Sequence, residues 1–568
     1  MRPVLALHYR DGTKDIIIEE ILKAEGLPYS RLESLDSLEG VRALILGETP
    51  VSPSQLDGLK AFVEGGGVLI TVRPENHLSE AFGIHDTGRI QKDGYIILKG
   101  GNPYVNVSYE GRLQIFGFSK LFVGGEKIVD LSPSEEHGGI IRGRFGKGNI
   151  FIVAYDISTT FLTIQQRDSL VGRAYDTSVV EADLSNLPQL DLMRRLFVNL
   201  AVESVNVPLP RKWYFPGCHK ALLLLSGDQD GADHKVMSAV KGILKERRVP
   251  YTLFITPRSQ PLSREELREI SEAGVEIALH PDFVDYPFTE EEFRAQLKKA
   301  EEDSGVKIIG SRNHCLRWGR IVDVPLWMER CGIQYDSNLG LRVPRDEPGA
   351  ELPKIGYFVG GGLPYFFIHP ESFRRIDVLE EPLLVSDDTF WLGSDRTIAV
   401  NHPSRGVVTF RGGMGLSQEE AFQLAKRFMD DSLERYYTVQ CYDLHPVYLW
   451  RGMSTRFFKK IVEYAKRRGI LIMGQGEWNN YWRGREEAQY VEVTWDPAAK
   501  TLEFTMRGRR KVRDMTLMVP HSYEGARAKV YINGAFASYR EENINGKRYA
   551  FFTVDIGPED VQIKVVFK

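Results

Sequence analysis

Between Lys220 and Trp482, short apolar runs alternate with helix-patterned stretches, and that alternation leaves few folds open. KALLLLSGD, YTLFITP, VEIALHPD and KIIGSRNHCLRW read as strands, whereas HKVMSAVKGILKERR, SREELREISEAG and TEEEFRAQLKKAEEDSG read as helices. Repeated βα units over such a length predict a barrel of parallel strands. In a barrel of that kind, chemistry sits at the carboxy-terminal ends of the strands, so the residues just after each apolar run are the ones that matter.

The flanks read differently. From Met1 to about Glu203, PVLALHY, DIIIEEILKAEG, VRALILGE, SPSQLDGLKAFVEGG and GVLITVRPE alternate strand and helix, with Ser52 placed as an N-cap and Gly65–Gly67 closing the helix. This segment resembles the class I glutamine amidotransferase-like fold, a flavodoxin-like sheet. The resemblance implies a scaffold or assembly domain, because that chemistry needs a nucleophilic cysteine and none precedes Cys218. The proline-rich VNVPLPRKWYFPGCHK reads as a boundary. After about Arg485, VEVTWD, TLEFTMRG, MTLMVP, AKVYING, YAFFTVD and VQIKVVFK read as strands of a small β-sandwich. The expected architecture is therefore α/β and multidomain: a flavodoxin-like domain at 1–205, a distorted (β/α) barrel at 206–487 and a β-sandwich at 488–568.

Charge and cysteines narrow the function classes. Lys+Arg number 73 against 77 Asp+Glu, a net charge of −4, which offers no basic footprint for nucleic acid. Cys218, Cys315, Cys331 and Cys441 show no C-x-x-C pairing and read as small buried apolar side chains. No apolar run approaches the roughly 20 residues that span a bilayer. No export signal is read in Met1–Arg10, which sets the cytoplasm as the expected location.

Four successive strand ends carry ligand or acid–base chemistry. ALLLL ends in Ser226-Gly227-Asp228-Gln229-Asp230-Gly231, placing two carboxylates two residues apart on one turn. VEIALHPDF delivers His280, KIIG is followed by Arg312 and His314, and YTVQCYDLHPVYL adds Asp443 and His445. Imidazoles and a carboxylate converging at strand ends suit Zn²⁺ or a similar divalent transition metal. Together these residues predict one site.

Their order is similar to that of the NodB-homology polysaccharide deacetylases over Lys220 to about Trp482. The resemblance implies Asp228 as catalytic base and Asp230 as metal ligand. Of that family's H-[ST]-x-x-H motif only His280 is kept, since Val284 stands at the later position. His314, where the family has proline after its arginine, is the expected replacement, with Asp282 and Asp285 as the other candidates. Arg312 matches the arginine that holds the base, and Leu444-His445 the motif whose imidazole protonates the leaving amine. Asp388, ahead of Asp387, is expected to orient that histidine. The implied metal is held by Asp230, His280 and His314, with Asp228 taking a proton from the attacking water.

Trp318, Tyr448 and Trp450 are candidate substrate-binding residues, because sugar rings stack on such faces. Tyr365, Phe366, Trp391, Trp478 and Trp482 are aromatic positions of the same segment, about half of the whole set being expected in the core, and His234, His369 and His402 are read as structural. The resemblance implies removal of acetyl groups, N-linked ones foremost, from a carbohydrate. Two other readings stay open: a non-catalytic carbohydrate-binding or assembly protein, and a hydrolase of another C–N bond. A homodimer through the amino-terminal domain is a further expectation.

Overall fold

A computed structural model describes residues 4–166, 180–319, 322–340, 355–391, 397–402, 406–411 and 414–568; for 397–402 and 406–411 only the backbone is considered. The chain forms two compact units. The first comprises Met1–Thr163, Leu192–Cys218 and Tyr481–Lys568; the second comprises Ile164–Asp191 and His219–Asn480. The first and last of these segments share one unit.

In the first unit, five parallel strands run in the order Ser30–Arg31, Leu5–His8, Ala43–Leu46, Val68–Val72, Gly148–Val153. This is the strand order of flavodoxin-like sheets. Four antiparallel strands, Gly138–Phe145, Glu126–Ser132, His85–Leu98 and Gly111–Val123, extend the same sheet. Ser52 caps the helix Pro53–Glu64 in a reciprocal capping box with Gln55, and Gly66 at φ +109° ends it.

The carboxy-terminal strands make two antiparallel sheets, one of four strands and one of six. The proline-rich stretch read as a boundary contributes to the first of them. Arg211–Lys212 pairs with Leu517 and Met518 as an edge strand, the place in a sheet where neighbouring prolines are tolerated. It is pinned from both sides. Arg211 pairs with the buried Glu25, which also accepts from Tyr214 Oη at 2.8 Å. Lys212 Nζ donates to the carbonyls of Arg485 and Ala488, both at 2.8 Å, and Arg485 Nη2 donates to the Ala24 carbonyl at 2.9 Å. Burial, with Arg485 adding repulsion, pushes the Lys212 ammonium down to about 7.

The second unit is built on parallel strands in the order Arg375–Glu380, Tyr335–Asp336, Gly310–Ser311, Val275–Leu279, Tyr251–Ile255, Leu222–Asp228, Val439–Asp443, Val385–Ser386. The first and last of these are one stretch of chain. Arg375–Glu380 pairs with Tyr335–Asp336, and a few residues later Val385–Ser386 pairs with Val439–Asp443, so the sheet closes into a barrel-like ring. Leu222–Leu225 is buried on both faces, which is why it reads as an unbroken apolar run. Asp233, Ser263 and Thr289 cap the helices that follow successive strands, so each strand end is held by a fixed helix start.

The cysteines are free; Cys218 and Cys441 are buried as expected, but Cys315 and Cys331 are partly exposed. His369 Nδ1 accepts from the backbone of Glu371 and Ser372, a local structural role; the His402 side chain lies outside the described residues. Among the described residues no helix is long and apolar enough to cross a membrane.

Candidate active site

The strand Leu222–Asp228 ends beside Val439–Asp443, with Ser226 opposite Asp443. Gln229 continues the pairing through its N–H to Phe254 O at 2.9 Å, and its buried side chain bonds Gln260 and Ala232 across the turn. Asp230, at φ +44°, then swings the chain outward, a conformation that aspartate tolerates better than most residues. That turn is why two carboxylates two residues apart end on one site: Asp228 is buried and Asp230 partly open.

Asp230, His280 and His314 meet, with ligating atoms all within 4.8 Å of one another. Asp230 Oδ1 lies 3.4 Å from His280 Nε2 and 3.8 Å from His314 Nε2. His280 Nδ1 faces the Arg312 carbonyl oxygen at 2.7 Å and so carries the hydrogen there, leaving Nε2 free toward the aspartate. His314 Nδ1 lies 3.2 Å from Asp282 Oδ1. Although burial alone lowers it, the hydrogen bond to Asp282 pushes the His314 imidazole up to about 11. Asp282 is thus the carboxylate behind His314, and its Oδ1 also accepts from Val284 N at 2.8 Å. Asp285 is exposed and outside the group.

On the other side of Asp230 stands a second arrangement. Arg312, fully buried over the Phe254 ring at 4.3 Å, donates from Nη1 to Asp228 Oδ1 at 3.0 Å and lies 3.3 Å from Asp443 Oδ1. Its other nitrogens reach Ser226 Oγ at 3.0 Å, Ser337 Oγ at 3.1 Å and Ser337 O at 3.0 Å, which locks the guanidinium plane. Burial, reinforced by Asp443, raises the Asp228 carboxyl against the pull of His280 and Arg312. Burial also opposes charge on Asp230, but His280 and His445 outweigh it and hold that carboxyl well below the usual range.

His445 completes the site. Its Nδ1 lies 2.8 Å from Asp387 Oδ1, so Nε2 points into the site, 3.3 Å from Asp230 Oδ2. The expected partner, Asp388, is corrected to Asp387. Among the described residues Asp388 accepts from the neighbouring Thr389 N at 2.8 Å, while Asp387 is fully buried and also accepts from Ser454 Oγ. The strand-to-helix step at Ser386/Asp387 turns adjacent side chains in different directions, which a run of two aspartates conceals. Asp387→Asn is expected to lower turnover about a hundredfold and Asp388→Asn by no more than about a factor of two. Initial rates of hydrolysis on the two variants read the difference, and equal losses would return the role to either residue.

Among the aromatics, Trp318 is corrected: it is a core residue, 3% exposed and stacked 5.9 Å from Phe367, so no substrate reaches it. The Tyr448 ring lies 5.4 Å from that of His445, and Trp450 is 41% exposed with Lys235 Nζ 5.6 Å from its ring centre. Two residues with clear contacts carry no role from sequence, although Asp443 is read there as part of the site. Asp443 shares Arg312 with Asp228, and its strand-end position was its signal; Ser454 holds Asp387 and has no local signal.

The donor set fits a divalent transition metal. One carboxylate and two imidazoles face each other, and each imidazole has its other nitrogen engaged, by a carbonyl in one case and a carboxylate in the other. Asp228, Asp443 and His445 also lie within reach of one another, but Arg312 already answers the two carboxylates.

No protein-family model and no curated protein sequence matches this chain. Similar solved structures include a Mycobacterium smegmatis protein provisionally described as a polysaccharide deacetylase, at 17% identity and TM-score 0.36 over 50% of this chain and 98% of that one. A Puue allantoinase is 15% identical at TM-score 0.33, over 48% of this chain and 92% of the other. A beta-galactosidase from Bacillus circulans sp. alkalophilus is 13% identical at TM-score 0.25, over 28% of this chain and 30% of its own length.

Proposed function

We propose that the second unit hydrolyses acetyl groups, N-linked ones foremost, from a carbohydrate. The observation that carries this reading is the division of labour around Asp230: a three-residue ligand set on one side, an arginine-held carboxylate and a carboxylate-held imidazole on the other. Asp230, His280 and His314 would hold the metal, which when bound supplies Lewis-acid polarisation and a more acidic water. Asp228, fixed through Oδ1 by Arg312, turns Oδ2 toward His280 Nε2 at 3.6 Å, where it would take a proton from the attacking water. His445 presents Nε2 to the leaving nitrogen and returns a proton to it, while Asp387 fixes the ring and stabilises its charged form. Arg312 also lies 3.3 Å from Asp443 Oδ1, so one cation serves both buried carboxylates. The acetylated-sugar substrate follows the motif resemblance, with Tyr448 and Trp450 as the aromatic faces that remain available.

Metal analysis of the purified protein beside Asp230→Ala, His280→Ala and His314→Ala tests the ligand set. Wild type is expected to carry about one zinc-like ion, each variant to lose it, and wild type alone to release acetate from acetylated chito-oligosaccharides. Retention of metal by His314→Ala alone would move the third ligand elsewhere. A wild type that binds none would favour the non-catalytic binding reading.

A further inference from the structure

The six-stranded sheet of the first unit has an outer face that no catalytic role uses. Its strands run in the order Gln489–Asp496, Thr501–Arg507, Val561–Phe567, Ala526–Ile532, Ser522–Tyr523, with Ala535–Ala537 paired to Ala526–Ile532. Side chains alternate across a pleated sheet, so Leu502, Phe504 and Val565 go inward while Glu503 and Lys564 go outward. Register then lines the outward residues into a row. Thr494 faces Glu503, Glu503 faces Lys564, Lys564 faces Tyr531 and Tyr531 faces Phe536, crossing five strands. Glu492, Thr505 and Gln562 form a second, parallel row.

A groove of about 710 Å³ lies over these rows, a volume within the range of ligand clefts. Its lining contains two carboxylates, Glu492 and Glu503, and two ammonium groups, Lys564 and Lys568, and Glu503 pairs with Lys564 at 2.7 Å. The groove therefore carries no net charge and offers nothing to a polyanion. Hydroxyl, amide and carboxylate groups supply closely spaced donors and acceptors along it. At one end Phe536 is 67% exposed, its ring 5.9 Å from Tyr531 at an edge-to-face angle. So large an apolar ring in water, at the end of a polar row, asks for a ligand with one apolar face and many hydroxyls.

We infer that this sheet face binds a neutral oligosaccharide chain, lying across the strands with one sugar ring over Tyr531 and Phe536. A second copy of the chain would bury a more apolar patch than this one. A peptide adding itself as a strand would need a free sheet edge and not a face. Binding here does not require the hydrolytic chemistry of the other unit.

Affinity electrophoresis of the whole protein through gels containing glycol chitin, hydroxyethylcellulose or xylan tests the site. Retardation by at least one of these is expected. In Tyr531→Ala/Phe536→Ala the affinity is expected to fall about tenfold, with acetate release from a short acetylated oligosaccharide unchanged. Phe536→Ala alone, at a position already two-thirds exposed, is expected to keep its melting temperature and lose part of the same affinity. No retardation by any of the three polymers, or equal retardation of wild type and both variants, would overturn the site. A wild-type dimer dissociated by Phe536→Ala in sedimentation would reassign the face to self-association. If acetate release itself is absent, the gel shift still reads on its own, so failure of either reading is told from failure of the other.

Discussion

Asp228→Asn is expected to fold as wild type does and to lose turnover by about 10²–10⁴, the usual worth of a positioned general base. Asparagine keeps the shape and can still accept from Arg312 Nη1, so the hydrogen bond at 3.0 Å and the packing around it survive. What disappears is the second carboxylate oxygen, the one proposed to take the proton. His445→Ala should cost a similar factor, by removing the proton returned to the leaving nitrogen. The decisive readout is the initial rate of acetate release at matched metal content and melting temperature. A variant retaining more than about a tenth of wild-type turnover would remove its residue from the proton transfers.

The second large effect is structural. Arg312→Met is expected to destabilise the second unit by about 3–5 kcal/mol, because it leaves two buried carboxylates without their shared cation. Methionine matches much of the side-chain volume over Phe254, so the loss comes from charge and not from a cavity. Arg312→Lys keeps the charge but cannot span Asp228, Ser226 and Ser337 together, and should recover only part of the loss. Thermal unfolding reads both, with a fall in Tm on the order of 10 °C for the methionine variant. An unchanged Tm would mean that water or a second cation compensates Asp228 and Asp443, and the arginine's place in the network would need revision.

Much of the site is legible in the chain because barrel chemistry follows apolar runs directly. Asp228, Asp230, His280, Arg312, His314 and His445 each stand within a few residues of a strand end, and no distant information is needed to find them. The choice between His314 and Asp282 is open in the sequence for a physical reason: the two side chains meet at 3.2 Å, and only the fold shows that His314 Nε2 faces Asp230 while Asp282 stands behind Nδ1. The sequence favours Asp388 over Asp387, whereas the contacts favour Asp387, because a single residue at a strand-to-helix junction changes a side chain's direction. Trp318 shows the converse failure, since an aromatic near a strand end packs inward as readily as outward and only the surroundings decide. Arg211–Lys212 was hidden by its prolines, which an edge strand accommodates. The closure of the ring through Arg375–Ser386 was hidden because each end of that stretch pairs with strands remote in sequence.

The buried ammonium of Lys212 bears on how such a chain can diversify. Its partners, the carbonyls of Arg485 and Ala488, come from the last segment, and Arg485 in turn holds the carbonyl of Ala24 in the first. A recombination that exchanges only one end of the gene replaces one half of this knot, and any shift of the exchanged backbone takes the carbonyls away from the buried cation that they answer. The two ends should therefore be inherited together, although the whole second unit lies between them in the reading frame, and a chimaera that swaps both should express where one that swaps either does not.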